Sequence, residues 1–324
     1  MPTIPPARLA AIGAGSAAAV MYLTIKTGTA GGMIMVYLAP LPLFIAGLAF
    51  GSAAVTAAAV VATALIAALS GSIALPAAFL VSAALPVIVL VRQALLSRQA
   101  PDGSAEWYPP GRLLVLLAGL GMAAVASAFT LALAWGEDGG LETMIHRLIL
   151  APMAEVFRSG GGLGDAGPDD EATAVASLIF PGVVAVSWLM MILVNGLLAQ
   201  SLLGRFDRLI RPPLRMSAIE LPAWAPLVLA LTVAGSLGAD GQARFLLVNL
   251  AIVAALPFLF AGLAVVHAIA AQQTVRIVIL VLFYMFLIIE AWPMLVLVVA
   301  LGVIEQWAGL RRRYAAGGPD RGDV

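Results

Sequence analysis

The sequence consists largely of long apolar segments that are separated by short stretches rich in Gly, Pro and charged residues. A helix needs about 20 apolar residues to cross the hydrocarbon of a bilayer, and runs of this length recur along the chain. We therefore predict an all-α, polytopic transmembrane helix bundle. The pattern gives ten candidate spans, at residues 8–25, 32–50, 53–70, 74–91, 112–135, 175–203, 223–237, 245–271, 276–290 and 293–310.

The last two candidate spans are short and allow a second arrangement. The residues Glu290 to Pro293 interrupt them, so 276–310 could form one re-entrant hairpin. The expected number of spans is about eight to ten. We expect residues 1–310 to form a single transmembrane domain and residues 311–324 to form a disordered cytoplasmic tail.

Two longer polar segments separate the spans. Residues 136–174 form a predicted external loop with an amphipathic helix, whose apolar face holds Leu141, Met144, Ile145, Leu148 and Ile149. Residues 204–222 form a predicted basic cytoplasmic loop, in which Arg205, Arg208 and Arg211 recur at three-residue spacing. This loop is predicted to touch anionic headgroups, with docking of a cytoplasmic or coupling subunit as the alternative.

Two prolines, Pro40 and Pro42, lie in the second candidate span. Each proline lacks an N–H, so we expect the carbonyls of Val36 and Leu38 to lose their helical partners. A free carbonyl in hydrocarbon is costly unless protein, water or a ligand satisfies it. The break is therefore either a place to hold a polar ligand or a kink packed against neighbouring helices.

A near-copy of this segment occurs in the eighth span. Residues 41–49 match 256–264 at six of nine positions, and Pro257 corresponds to Pro42. Interrupted helices at corresponding positions of two halves are a pointer to a transporter's binding site. We therefore expect a parallel repeat of spans 1–4 and 7–10, with the two proline breaks close together.

Polar side chains inside apolar spans are further candidates, because their burial in lipid is expensive. Asn195 and Asn249 are expected either to bind a solute or to form interhelical hydrogen bonds. Lys26 and Glu290 could pair on the outer side, and Glu305 is expected to meet the basic Arg311–Arg313 cluster. The candidate substrate contacts are Lys26, Val36, Tyr37, Leu38, Pro40, Pro42, Asn195, Asn249, Pro257 and Glu290.

Composition supports the membrane assignment and excludes several other classes. The chain is 62% hydrophobic and only 10% charged, against about 25% charged residues in soluble domains. The net charge is zero and there is no cysteine, so we expect no nucleic-acid partner and no thiolate chemistry. The usual catalytic and nucleotide-binding motifs are absent from the sequence. We expect no cofactor, no metal site and no enzymatic activity.

The distribution of positive charges predicts the orientation. With the N-terminus inside, thirteen basic residues fall on the cytoplasmic side and four on the outside, at Lys26, Arg147, Arg158 and Arg244. This predicts a multi-pass protein of the bacterial inner membrane with both termini in the cytoplasm. In the first span, Ala10, Ala14 and Ala18 form a small-residue face that could pack on another helix of the chain or on a separate subunit.

Three segments resemble a known family. The residues at 37–51 (YLAPLPLFIAGLAFG), 256–268 (LPFLFAGLAVVHA) and 302–313 (GVIEQWAGLRRR) resemble the YybS-like bacterial inner-membrane proteins, a domain of unknown function. That family is similar at a distance to the S components of energy-coupling-factor transporters. The resemblance implies binding or transport of a small solute, and the first span would then face a coupling subunit. The alternatives are a membrane scaffold in envelope assembly and, third, a membrane enzyme acting on lipid.

Overall fold

The computed structural model describes residues 5–134, 140–152, 170–214 and 219–316, which are almost entirely helical. The helices begin and end at the Gly, Pro and polar residues that separate the apolar runs. In chain order they are α1 (Pro6–Leu23), α2 (Ala30–Leu38), α3 (Pro40–Phe50), α4 (Ser52–Ser70), α5 (Ala74–Phe79), α6 (Leu85–Ala94), α7 (Pro110–Ala134), α8 (Gly140–Ile145), α9 (Asp170–Gly204), α10 (Ala225–Gly238), α11 (Gly241–Ala270), α12 (Arg276–Ile289), α13 (Ala291–Ala308) and α14 (Leu310–Ala316).

Several helices are joined by short elements of other kinds. A 3-10 turn precedes α2, a π-helical turn at Leu80–Ala84 joins α5 to α6, and a second π turn at His146–Leu150 follows α8. Between α6 and α7, strands β1 (Ser97–Gln99) and β2 (Ala105–Trp107) form an antiparallel hairpin. Arg98 donates to Glu106 across the hairpin at 2.8 Å, and this bond lowers the pKa of the Glu106 carboxyl.

Among the described residues, eight helical segments are long and apolar enough to cross a membrane. They are Pro6–Thr27, Ala30–Phe50, Ser52–Ser70, Ala74–Ala94, Pro110–Ala134, Thr173–Gly204, Gly241–Ala270 and Ala291–Ala308. The prediction of an all-α, multi-pass membrane protein is thus confirmed. The remaining predicted spans, 223–237 and 276–290, correspond to α10 and α12, which have 14 residues each. At about 1.5 Å per residue, each is shorter than the ~30 Å hydrocarbon layer.

The structure divides the predicted single domain into two compact units. Unit 1 contains Met1–Leu117 and Ser187–Ala218, and unit 2 contains Ala118–Val186 and Ile219–Val324. Helices α7 and α9 each contribute one part to each unit. Residues 136–139 and 153–169 of the predicted external loop lie outside the described residues.

In unit 1, α1 packs on α4 through small residues. Ala11, Gly15 and Ala18 are buried on α1, and a Cβ added to Gly15 would lie 2.5 Å from the carbonyl oxygen of Ala58. Glycine is therefore required for this close approach. The small-residue face predicted at Ala10, Ala14 and Ala18 contributes one fully buried member, Ala18, and two half-buried ones. Packing within the chain thus fills part of this face.

In unit 2, α11 and α13 are in direct backbone contact. A Cβ added to Gly302 would overlap the carbonyl oxygen of Phe258, and one added to Gly262 would overlap that of Val298. Along α11 the order is Phe258 and then Gly262, whereas their contacts on α13 run from Gly302 back to Val298. The two helices are therefore antiparallel. A crossing by α12 would make them parallel, as would a re-entrant hairpin of 276–310. The structure agrees with neither predicted arrangement of this segment.

The predicted amphipathic helix at 141–149 is present as α8 and the π turn that follows it. Leu141 and Ile145 are buried in a cluster with Phe129 and Phe245, which come from α7 and α11. At the far end of the predicted apolar face, Leu148 is 63% exposed. The π turn widens the helix, so residues after position 145 no longer follow the 3.6-residue period.

The end of the described chain is ordered by a buried ion pair. Gly309, in the left-handed conformation, separates α13 from α14. Arg311 Nε donates to Glu305 Oε1 at 2.8 Å, and Arg311 Nη2 donates to the carbonyl of Ile219 at 2.6 Å. The predicted contact of Glu305 with the basic cluster is confirmed. Residues 311–316, expected to begin a disordered tail, instead belong to helix α14.

Candidate functional site

The break in the second span lies at Ala39, between α2 and α3. Pro40 begins α3 and removes one N–H, as expected. The N–H of Ala39, however, donates to the carbonyl of Val36 at 3.2 Å. The Val36 carbonyl has thus lost its helical donor at Pro40, as predicted, but a tightened last turn supplies the Ala39 N–H in its place and the carbonyl is not left free.

Asn195 of α9 reaches the break and binds the carbonyl of Tyr37. Its Nδ2 donates to Tyr37 O at 2.7 Å and to Met191 O, one turn back in its own helix, at 2.8 Å. The sequence indicated Asn195 and the break separately, and the structure brings them together in unit 1. This contact is the interhelical hydrogen bond that was one of the two alternatives for Asn195.

The second polar atom of Asn195 has no partner. The side chain is buried, and its Oδ1 makes no hydrogen bond to the described residues. The orientation of the amide is fixed, because both of its bonds run to carbonyl oxygens and only the Nδ2 group can donate to them. A buried acceptor without a donor costs about 1–3 kcal/mol. Asn195 Oδ1 is therefore the atom at this break that is suited to receive a donor from outside the chain.

Tyr37 also contacts α9 through its side chain. Its hydroxyl lies 3.2 Å from Ser187 Oγ, and the residue is half exposed. The ring therefore lies on the surface of unit 1, while the carbonyl of the same residue is bound by Asn195. We infer that Tyr37 positions the break through these two contacts.

Asn249 of α11 forms the interhelical hydrogen bonds that were one of the two alternatives for this residue. Its Nδ2 donates to the carbonyl of Leu178 at 2.8 Å, and its Oδ1 accepts from the N–H of Gly182 at 2.6 Å. These two groups are the acceptor and donor of one helical turn in α9, next to Pro181. The amide thus bridges the turn that the proline weakens. Because Nδ2 also donates to Phe245 O, both N–H groups of the Asn249 amide and its oxygen form hydrogen bonds within the chain.

Pro181 and Pro86 are two further prolines within candidate spans that the sequence analysis did not single out. Pro86 cannot donate to the carbonyl of Ser82, four residues earlier, and Trp188 Nε1 donates to that carbonyl at 2.7 Å. The signal in the sequence is that both prolines lie inside apolar runs. Sequence spacing does not show which donor reaches which carbonyl.

Pro257 does not break its helix. Helix α11 continues from Gly241 to Ala270 through Pro257, so the eighth span lacks the interruption seen at Ala39. The expectation of two broken spans is wrong in this respect. The two prolines also belong to different units, so the predicted repeat and a shared site remain predictions.

Lys26 and Glu290 also belong to different units, and their pairing remains a prediction. Lys26 Nζ donates to the carbonyl of Ser70, the last residue of α4, at 2.6 Å. A cation at a helix C-terminus is favoured by the helix dipole. Glu290 is exposed at the junction of α12 and α13.

The described residues contain no group of three or more His, Cys, Asp or Glu side chains that could hold a metal ion. His267 lies near the end of α11, where its Nδ1 is 2.9 Å from the carbonyl of Leu263 and its Nε2 is 3.4 Å from the Tyr284 hydroxyl.

Comparisons with protein-family models, with curated proteins and with solved structures find no match to this chain. The resemblance to the YybS-like family therefore remains a prediction, as do the partners and the location in a bacterial inner membrane.

Proposed function

We propose that this multi-pass membrane protein binds a small polar solute at the α2–α3 break, in the manner of a transporter's substrate-binding component. The observation that carries the proposal is the buried Oδ1 of Asn195, which has no donor among the described residues. The solute would present an N–H or O–H group, such as an amine, amide or hydroxyl, to this acceptor. The resemblance to the YybS-like family supports the same class of function.

Asn195 can offer Oδ1 because its own position is already fixed. Two hydrogen bonds hold the Nδ2 group, so binding a solute requires no reorientation of the amide. A preorganised acceptor adds affinity because little conformational entropy is lost on binding. Among the other predicted contacts, Leu38, Pro40 and Pro42 are close to the break in the sequence. Asn249 and Pro257 belong to unit 2.

A second candidate is a membrane scaffold in envelope assembly that binds other proteins. The observation that favours it is the satisfaction of the carbonyls of Tyr37, Leu178 and Ser82 by the chain's own side chains. Such contacts are expected if the proline kinks serve packing alone. Neither candidate uses catalytic chemistry.

Native mass spectrometry of the protein, extracted gently from its own membrane, tests the proposal. A reproducible small-molecule adduct should be present in the wild type and in Ser201→Ala, and should be lost in Asn195→Leu. Ser201→Ala is a matched control because it removes an exposed hydroxyl of the same helix, α9, away from the break. Only lipid adducts, together with a co-purifying membrane protein, would instead support the scaffold.

A further inference from the structure

Three span ends of unit 1 meet around residues 210 and 211. The N–H of Ile210 donates to the carbonyl of Leu48, near the end of α3, at 3.2 Å. Arg211 Nη1 donates to the carbonyl of Ala94, the last residue of α6, at 3.0 Å. The loop itself follows the end of α9. Because α3, α6 and α9 all belong to candidate spans, their ends mark one surface of the membrane.

Arg211 differs from its neighbours in being buried. Only 9% of its surface is exposed, whereas Arg205 and Arg208 in the same loop are exposed. Among the described residues, no carboxylate forms an ion pair with Arg211, and burial lowers the pKa of its guanidinium. An arginine nonetheless remains protonated in proteins. The loop thus holds a buried positive charge that no carboxylate in the described part of the chain pairs with.

The hydrogen bond to the carbonyl of Ala94 uses only part of the hydrogen-bonding capacity of Arg211. A cation at the C-terminus of α6 is favoured by the helix dipole, by about 0.3–1 kcal/mol at exposed sites. A guanidinium carries five N–H donors, and the Ala94 carbonyl occupies one of them. The planar fork of the remaining donors matches the oxygen atoms of a phosphate group.

We propose that Arg211 binds the phosphate group of an anionic membrane lipid between the ends of α3, α6 and α9. Lipid phosphate is the favoured source because these span ends lie at the depth of the headgroups. Arg205 and Arg208 would raise the local concentration of anionic lipid without forming the site. This site is separate from Asn195 and does not depend on the proposed solute.

The test is thermal unfolding of the full-length protein in nanodiscs of phosphatidylcholine, with and without added phosphatidylglycerol. A lipid that binds only the folded state raises the Tm. We expect phosphatidylglycerol to raise the Tm of the wild type and of Arg208→Gln, and to have little effect on Arg211→Gln. The apparent affinity should fall about tenfold in Arg211→Gln, as expected for loss of a charged hydrogen bond.

Each variant is compared with itself in two lipid mixtures, so a lower intrinsic stability does not affect the result. If Arg211→Gln does not fold, Arg211→Lys serves instead, because lysine keeps the charge and a donor but lacks the fork. It should lose part of the rise in Tm. The proposal is overturned if Arg208→Gln and Arg211→Gln lose the rise equally, if the wild type shows none, or if inorganic phosphate reproduces it.

Discussion

Three side chains donate to backbone carbonyls close to the prolines of these apolar helices. Asn195, Trp188 and Asn249 each donate to a backbone carbonyl near a proline of another helix or turn. The carbonyl of Ser82 is the one that has lost its helical donor to a proline, and in hydrocarbon the Trp188 N–H replaces that donor where water is not available. Asn249 completes this arrangement by also accepting from an N–H, whereas Asn195 leaves its acceptor unpaired. Asn249 is therefore a packing contact, whereas the unpaired acceptor of Asn195 makes that residue the candidate site.

Replacing Asn249 by leucine should lower the free energy of unfolding by about 1–3 kcal/mol. The change leaves the N–H of Gly182 without its side-chain acceptor and the carbonyl of Leu178 without its side-chain donor. Asn195→Leu should cost less, because it breaks one interhelical bond and also removes an unpaired acceptor. Unfolding in mixed micelles of increasing denaturing detergent would measure both variants. An equal or smaller loss for Asn249→Leu would contradict the bridging role.

At the scale of elements, the sequence placed most helices and missed how they pair. Apolar periodicity locates α11 and α13, but nothing local indicates that Gly262 and Gly302 bring their backbones into contact. Glycines such as Gly119 look similar in the sequence, yet a Cβ at Gly119 would have no neighbour within 4 Å. Close approach depends on the partner helix, which local pattern does not contain.

Gly302→Ala should therefore destabilise the protein by about 1–3 kcal/mol through overpacking between α11 and α13. The contact is with backbone, so no side-chain rotation relieves it. Gly119→Ala is the matched control and should be neutral or stabilising by up to ~1 kcal/mol, since alanine favours a helix. The same detergent titration compares the two variants, and a neutral Gly302→Ala would show that the helices separate easily.

The antiparallel packing of α11 and α13 predicts that α12 does not cross the membrane. Because the chain has no cysteine, single cysteines can report its sidedness. Gln273→Cys and Glu290→Cys, which flank α12, should react with a membrane-impermeant maleimide from the same side. Ser52→Cys and Ile73→Cys, which flank α4, should react from opposite sides. Labelling of the two α12 positions from opposite sides would show that α12 spans the bilayer.

At the scale of the whole molecule, the sequence predicted the class and eight of the spans because hydrophobic length is a local property. The division into two units was missed, since it depends on contacts between residues far apart in sequence. Likewise, Asn195 and Tyr37 were both candidates, but their hydrogen bond joins positions 158 residues apart. Asn195 Oδ1 is unpaired because the amide is oriented by that hydrogen bond. The sequence position of either residue alone does not indicate it.

The bonds that close unit 1 also predict its sidedness. Lys26 bound to Ser70 places the turns before α2 and after α4 at one surface. Arg211 bound to Ala94 and Ile210 bound to Leu48 place the ends of α3, α6 and α9 at the other. Most arginines of unit 1 lie near this second surface in the sequence, so the positive-inside rule predicts that it is the cytoplasmic one.

An impermeant maleimide should therefore label Ile25→Cys and Ile73→Cys in spheroplasts of a bacterial host. It should label Ser52→Cys and Asp102→Cys only in inverted membrane vesicles. All four positions are exposed, so accessibility depends on the membrane side alone. A fully reversed pattern would contradict the orientation and leave the fold intact. The hydrogen bonds require the two positions of each pair, Ile25 with Ile73 and Ser52 with Asp102, to lie at the same membrane surface. Labelling of the two positions of one pair from opposite sides would therefore contradict the assigned membrane crossings.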